Sequence, residues 1–121
     1  MNKKVLIVDD DPRNIFALKL TLKSRGYQIE SCTMAQEAID ILKKDHHYSA
    51  VLMDMMMPEM DGYEAIRIIR ETPVISEIPV VAVTAQAMPE DKQKCLDAGA
   101  NDYISKPIDV DQLIKALEKL S

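Results

Sequence analysis

Short apolar runs alternate along this chain with longer segments in which apolar residues recur at helical spacing. The runs are rich in β-branched residues and are bounded by turn residues, which is typical of buried strands. Only the second run alternates apolar and polar residues, which predicts a strand nearer the edge of a sheet. The predicted strands are 5–8, 27–32, 50–53, 80–83 and 102–105.

The segments between the predicted strands carry signals for helix starts. Asp11 and Pro12 are suited to the N-cap and first position of a helix. Thr33 and Gln36 form a capping-box pattern, which predicts the start of the second helix. The helix that Pro89 begins is only weakly amphipathic, so we expect it to be held loosely.

A strand followed by a helix, repeated five times, predicts a parallel sheet with helices on both faces. Right-handed crossovers leave few topologies, of which the order 2-1-3-4-5 is the leading one. The predicted fold class is α/β, a flavodoxin-like (βα)5 three-layer sandwich around a five-stranded parallel sheet. The chain length is that of one domain, so 1–121 is expected to form a single domain.

Composition and net charge limit both the partners and the cellular location that we expect. The net charge of −5 argues against direct binding to nucleic acid or to an anionic membrane surface. No apolar run approaches the roughly 20 residues of a membrane helix, and the first run is too short for a signal peptide. Cys32 and Cys95 are far apart, which indicates free thiols in a reducing compartment. We therefore expect a cytoplasmic protein.

Chemically useful side chains stand at the ends of the predicted strands. Because the carboxyl ends of parallel strands share one edge, and strands 1 and 3 are neighbours in the predicted order, three carboxylates should converge. These side chains are Asp9 and Asp10 after strand 1, Asp54 at the end of strand 3, Thr84 at the end of strand 4 and Lys106 after strand 5.

Three neighbouring carboxylates repel one another unless a cation lies among them. Oxygen ligands with room for water and phosphate oxygens favour Mg²⁺ over Ca²⁺. Thr84 and Lys106 add a hydroxyl and a positive charge, a combination suited to phosphoryl transfer. One of the carboxylates can then act as a nucleophile and form an acyl phosphate.

Four segments, in order and at strand ends, resemble the receiver domains of two-component response regulators, including chemotaxis receivers. They are VLIVDDD at 5–11, VLMDMMMPEMDG at 51–62, AVTA at 82–85 and ISKPID at 104–109. Any one alone is weak evidence, whereas the four together are highly specific. The resemblance extends over essentially the whole chain and implies that 1–121 is a single receiver domain.

The resemblance also implies a role for each site residue. Asp54 would accept the phosphoryl group, and Mg²⁺ would bind Asp9, Asp10, Asp54 and the backbone carbonyl of Met56. Thr84 would be the switch hydroxyl, Lys106 the lysine that pairs with phosphate and Tyr103 the aromatic switch residue. Lys106-Pro107 would be a cis peptide.

The expected donor is a phosphohistidine on a histidine kinase or on a histidine phosphotransfer protein. The domain would catalyse only its own phosphorylation and dephosphorylation, and would not otherwise be an enzyme. Phosphorylation would alter the surface of helix 4, strand 5 and helix 5, which signals to an unknown effector or forms a homodimer. A stand-alone regulator and the receiver of a hybrid histidine kinase both remain open.

Two other functions are alternatives to a phosphorylatable switch. A phosphatase of the haloacid-dehalogenase type also uses an aspartate nucleophile and Mg²⁺, but it needs an acid two residues later, where this chain has Met56. A receiver-like binding module that is never phosphorylated would not need the full set of Asp, Thr and Lys. Packing is the favoured role of Met55, Met56, Met57 and Met60, rather than soft-metal binding.

The lifetime of the phosphorylated state depends on side chains that guide the attacking water. The relevant positions are two residues after the nucleophile and two after the switch threonine, here Met56 and Gln86. Met56 is apolar, and Gln86 can form hydrogen bonds but cannot act as a base at neutral pH. Slow self-dephosphorylation is therefore expected.

Overall fold

The computed structural model describes residues 3–85 and 88–120, in which strands and helices alternate. The strands are β1 (Lys3–Val8), β2 (Tyr27–Cys32), β3 (Ala50–Asp54), β4 (Val80–Thr84) and β5 (Asp102–Ser105). The helices are α1 (Pro12–Ser24), α2 (Ala35–Lys44), α3 (Gly62–Glu71), α4 (Pro89–Ala98) and α5 (Val110–Lys119). Within the described ranges, no helix is long and apolar enough to cross a membrane.

The five strands form one parallel sheet in the order β2-β1-β3-β4-β5, which confirms the predicted topology. β3 lies at the centre and is buried along its whole length. β2 lies at an edge and buries only Ile29 and Cys32, as its alternating pattern predicted. In the register of β1 and β3, Val8 lies opposite Met53, so the residues that follow the two strands leave the sheet side by side.

Helices cover both faces of the sheet, because successive side chains of a strand point to opposite faces. On one face, β-strand residues such as Ile7 and Leu52 pack with the buried residues of α1 and α5. On the other face, residues such as Leu6 and Met53 pack with those of α2, α3 and α4. This arrangement confirms the predicted three-layer sandwich.

The helix starts agree with the sequence signals in part. Asp11 caps α1, and its side chain accepts a hydrogen bond from the Arg13 N–H. The capping box predicted at Thr33 is wrong, because α2 begins at Ala35 and Met34 occupies the N-cap without a side-chain hydrogen bond. β2 pairs with β1 as far as Cys32, so Thr33 and Met34 form the turn and the helix starts later than expected.

Arg70 joins three segments on the face that carries α3. Its guanidinium donates hydrogen bonds to the carbonyls of Gly99 at 2.9 Å, Ser76 at 2.9 Å and Ile78 at 2.7 Å. It also donates to Oδ1 of Asn101 at 2.7 Å, and this oxygen accepts the Val80 N–H as well. α3 is thereby fixed to the start of β4 and to the loop between α4 and β5.

We expect Arg70→Lys to lower the free energy of unfolding by about 2–3 kcal/mol, since one ammonium group cannot reach the same acceptors. Urea denaturation monitored by circular dichroism measures this loss. The matched control is Arg67→Lys on the exposed side of the same helix, for which we expect a change within about 0.5 kcal/mol. Equal stability of the two variants would contradict the role given to Arg70.

Candidate functional site

The carboxyl ends of four strands meet at one edge of the sheet, as the strand order requires. Asp9 and Asp10 follow β1, Asp54 is the last residue of β3, and Thr84 is the last of β4. Lys106 follows β5, and its N–H donates to the carbonyl of Thr84 at 2.7 Å. The parallel pairing therefore gathers the predicted site residues at this edge.

Asp9, Asp10 and Asp54 form a compact acidic cluster. Each offers a carboxylate oxygen, and these oxygens all lie within 4.8 Å of one another. Asp9 is 4% exposed and Asp54 is 2% exposed, whereas Asp10 is exposed to solvent. Asp9 Oδ1 accepts the Asp11 N–H at 2.8 Å, which fixes the turn that follows β1. The cluster is thus partly buried and open on the side of Asp10.

Burial and neighbouring charges both affect the pKa of the Asp9 carboxyl. Burial raises the pKa of the Asp9 carboxyl, the hydrogen bond from Asp11 lowers it, and the charge of Asp54 raises it. Lys106 lowers the same pKa, but the net direction remains upward. Three oxygen ligands with one open side are a donor set that suits Mg²⁺ with its retained waters. The residues present therefore fit a magnesium ion.

The two carboxylate oxygens of Asp54 have different surroundings. Oδ1 accepts the backbone N–H of Met56 at 3.0 Å. Oδ2 faces Nζ of Lys106 at 3.4 Å, a long contact to a partly exposed ammonium group. The backbone that follows Asp54 is fixed to β4, because the Met55 N–H donates to the carbonyl of Val83 at 2.9 Å. One oxygen is therefore anchored, and the other is turned towards a positive charge.

The loop between β3 and α3 folds back over Asp54. A Cβ atom on Gly62 would lie 2.8 Å from Met55 Cα and 2.9 Å from the Asp54 carbonyl oxygen, so this close approach requires glycine. Met55 and Met57 are buried and Met60 packs against the core, which confirms the predicted packing role for these three methionines. The same prediction is wrong for Met56, whose side chain is 55% exposed. The closeness of Gly62 to Asp54 was not predicted from the sequence.

The two predicted switch residues lie on neighbouring strands. Thr84 is fully buried at the end of β4. Tyr103 in β5 is partly buried against the core, and Nζ of Lys92 in α4 lies 5.5 Å from the centre of its ring. Gln86, for which a role in guiding water was predicted, lies outside the described residues. The Lys106-Pro107 peptide is cis, as predicted.

Comparison with known proteins identifies the class. The chain belongs to the response regulator receiver domain family, whose model matches residues 5–118. It is therefore a receiver domain of two-component signalling, a class found both in hybrid histidine kinases and in stand-alone regulators. The acidic pocket is compatible with Mg²⁺ and with phosphorylation of an aspartate. Membership of this family decides against a phosphatase of the haloacid-dehalogenase type.

The similar proteins include a response regulator and the receiver domain of a sensor histidine kinase. DivK, a polar-differentiation response regulator of Brucella ovis, is 35% identical over 98% of this chain and 95% of its own length. A solved structure of the receiver domain of the sensor histidine kinase PA1611 from Pseudomonas aeruginosa is also similar, with a TM-score of 0.89 and 33% identity. The match covers 99% of this chain and 98% of that one, and that domain was crystallised with a magnesium ion in its active site cleft.

A third relative is known in a complex. The receiver domain of Ssk1 from Saccharomyces cerevisiae, crystallised with the histidine phosphotransfer signalling protein Ypd1, has a TM-score of 0.91 and 29% identity, covering 98% of this chain and 88% of that one. This chain spans only 14% and 12% of the length of two histidine kinases that it matches, from rice and from Escherichia coli.

We expect Mg²⁺ to stabilise the protein by mass action, by about 2.7 kcal/mol at 100 times its Kd. A thermal melt with and without MgCl₂ measures the effect. Asp10→Ala should weaken it markedly, because one of the three carboxylates is lost. The control is Asp40→Ala on the exposed side of α2, which should respond like the wild type. Absence of a Mg²⁺-dependent shift in the wild type would contradict a metal site at the cluster.

Proposed function

We propose that this receiver domain is a phosphorylatable switch in which Asp54 accepts a phosphoryl group from a phosphohistidine. The observation that carries this proposal is the convergence of three carboxylates, with Lys106 Nζ 3.4 Å from Asp54 Oδ2. Asp9, Asp10, Asp54 and the backbone carbonyl of Met56 would hold Mg²⁺. The bound ion would neutralise the charge that develops on the phosphoryl oxygens.

The surroundings of Asp54 support separate tasks for its two oxygens. Oδ2 would attack the phosphorus, and the bond from phosphorus to the donor's histidine nitrogen would break. Oδ1 would become the carbonyl oxygen of the acyl phosphate, in which it can still accept the hydrogen bond from Met56. Lys106, already facing Oδ2, would pair with a phosphoryl oxygen.

The signal would pass to the surface through Thr84 and Tyr103. The Thr84 hydroxyl would move towards the new phosphoryl group. The Tyr103 ring would then fill the space that the Thr84 side chain had occupied. α4 lies beside this path, and Cys95 is its only buried residue in the described part of the chain. Few buried contacts allow local movement at a low cost in free energy. α4, β5 and α5 would thus form the altered surface.

The partners follow from the chemistry of the donor. A histidine kinase or a histidine phosphotransfer protein would supply the phosphoryl group, which is supported by the similarity to a receiver that was crystallised with a phosphotransfer protein. The downstream effector is not identified, and a phosphorylation-dependent homodimer stays a prediction. The cytoplasmic location, the lack of direct nucleic-acid or membrane binding and the single domain at 1–121 also stay predictions.

We expect Asp54→Asn to abolish phosphorylation, because an amide cannot form the acyl phosphate. The measurement is incorporation from a small phosphodonor with Mg²⁺, followed by mass spectrometry of the intact protein. The matched control is Asp61→Asn in the same loop, where asparagine can still cap α3 in place of the Asp61 side chain.

The same experiment separates the candidate functions. A phosphorylatable switch gives one stable phosphoryl group on the wild type and on the Asp61→Asn variant. A binding module that is never phosphorylated gives none on any variant. Undiminished labelling of the Asp54→Asn variant would show that another residue is the acceptor.

The lifetime of the acyl phosphate provides a further prediction, because this domain would also dephosphorylate itself. We expect Met56→Asn to speed the decay by about twofold to tenfold, the effect of one hydrogen bond on the attacking water. Decay is followed after removal of the donor. Met57→Leu, a conservative change at a buried position of the same loop, is the control and should leave the rate unchanged. An unchanged or slower decay in Met56→Asn would show that Met56 does not limit access of water.

A further inference from the structure

The sulfur atoms of the chain differ greatly in their access to oxidants. Cys32 and Cys95 are both buried. Burial raises the pKa of the Cys32 thiol to about 11 and also raises that of Cys95. Because the thiolate is the form that peroxides attack, both cysteines are protected at neutral pH. Any oxidation under mild conditions must therefore fall on methionine.

The described methionines differ in how far their side chains are exposed to solvent, and therefore to oxidants. Met53, Met55 and Met57 are at most 7% exposed. The exposed ones are Met34 at 47%, Met56 at 55% and Met88 at 59%. Met34 precedes α2 and Met88 precedes α4.

Met56 is set apart from the other exposed methionines by its contact with the site. Its backbone N–H donates to Asp54 Oδ1 at 3.0 Å. Its side chain lines an open groove of about 480 Å³, together with residues that include Asp61 and Lys94. A small oxidant can therefore reach the sulfur from solvent while the backbone of the same residue remains fixed to the site.

We propose that Met56 is an oxidation site through which hydrogen peroxide shortens the life of the phosphorylated state. One oxygen atom passes from the peroxide to Sδ of Met56 and the O–O bond breaks. The sulfur loses two electrons as it becomes the sulfoxide, and the peroxide is reduced to one molecule of water. No other reactant is needed.

The product changes the chemistry beside Asp54 without adding a charge. A thioether sulfur is a weak acceptor, whereas the sulfoxide oxygen is polar and accepts strong hydrogen bonds. Placed two residues after Asp54, this oxygen holds the water that attacks the acyl phosphate. Methionine sulfoxide reductases return the sulfoxide to the thioether, so the modification is reversible. This inference rests on the proposed function, because it concerns the lifetime of phosphate on Asp54.

The first experiment combines peptide mapping with a decay measurement. The full chain is treated with dilute hydrogen peroxide, and mass spectrometry locates the sulfoxides. We expect them at Met34, Met56 and Met88, with the three buried methionines and both cysteines unmodified. The oxidised protein, once phosphorylated, should lose phosphate about twofold to tenfold faster than untreated protein. Treatment with the two sulfoxide reductases should restore the original rate.

Variants assign the effect to one sulfur. The double variant Met34→Leu/Met88→Leu keeps only Met56 among the exposed methionines of the described chain, and it should retain the full response to peroxide. Met56→Leu should show no change in decay rate on treatment, whatever its starting rate. Circular dichroism checks that each variant is folded, and reversal by reductases in the wild type supplies a test that needs no variant.

The failures of the two proposals are distinguishable. If untreated protein forms no acyl phosphate, the proposed function is overturned and this inference falls with it. If the acyl phosphate forms and decays at the same rate with Met56 fully oxidised, only the present inference is overturned. A response to peroxide that persists in Met56→Leu would also overturn it.

Discussion

Repulsion among three carboxylates is the constraint on which the site depends. Asp9, Asp10 and Asp54 are held together because parallel pairing of β1 and β3 fixes the points at which these strands leave the sheet. Two of the three are buried, so water cannot screen their charges well. The fold therefore maintains an arrangement that nearby positive charge stabilises. The Lys106 ammonium group supplies one such charge 3.4 Å from Asp54, and the three carboxylates fit a magnesium ion as a second.

The helices around the sheet are held with unequal strength. Arg70 fixes α3 to the start of β4 and to Gly99, just beyond α4. α4 itself buries only Cys95 of the residues described. A helix with a fixed neighbour at its end and few buried side chains can move without disturbing the core. This difference supports the proposal that α4 belongs to the surface that phosphorylation would alter.

The methionine-rich loop has two functions that its composition did not separate. Its buried members fill the space beneath the loop, which the unbranched side chain of methionine suits. Met56 instead points its side chain to solvent, while its N–H anchors the carboxylate of Asp54. An apolar residue at this position would offer no polar group to a water that attacks an acyl phosphate on Asp54. The same exposure makes its sulfur available to oxidants.

The sequence by itself determined the alternation of strands and helices, the strand order and the identity of the acidic cluster. These follow from local patterns: apolar runs mark buried strands, and polar residues at their ends must share one edge of a parallel sheet. The start of α2 was misplaced at Thr33, because the pairing of β2 with β1, and not the capping pattern, decides where the chain can turn. The contacts of Arg70 and the close approach of Gly62 to Asp54 were decided only by the tertiary structure. Both depend on segments that are distant along the chain, and no local pattern records how closely such segments approach.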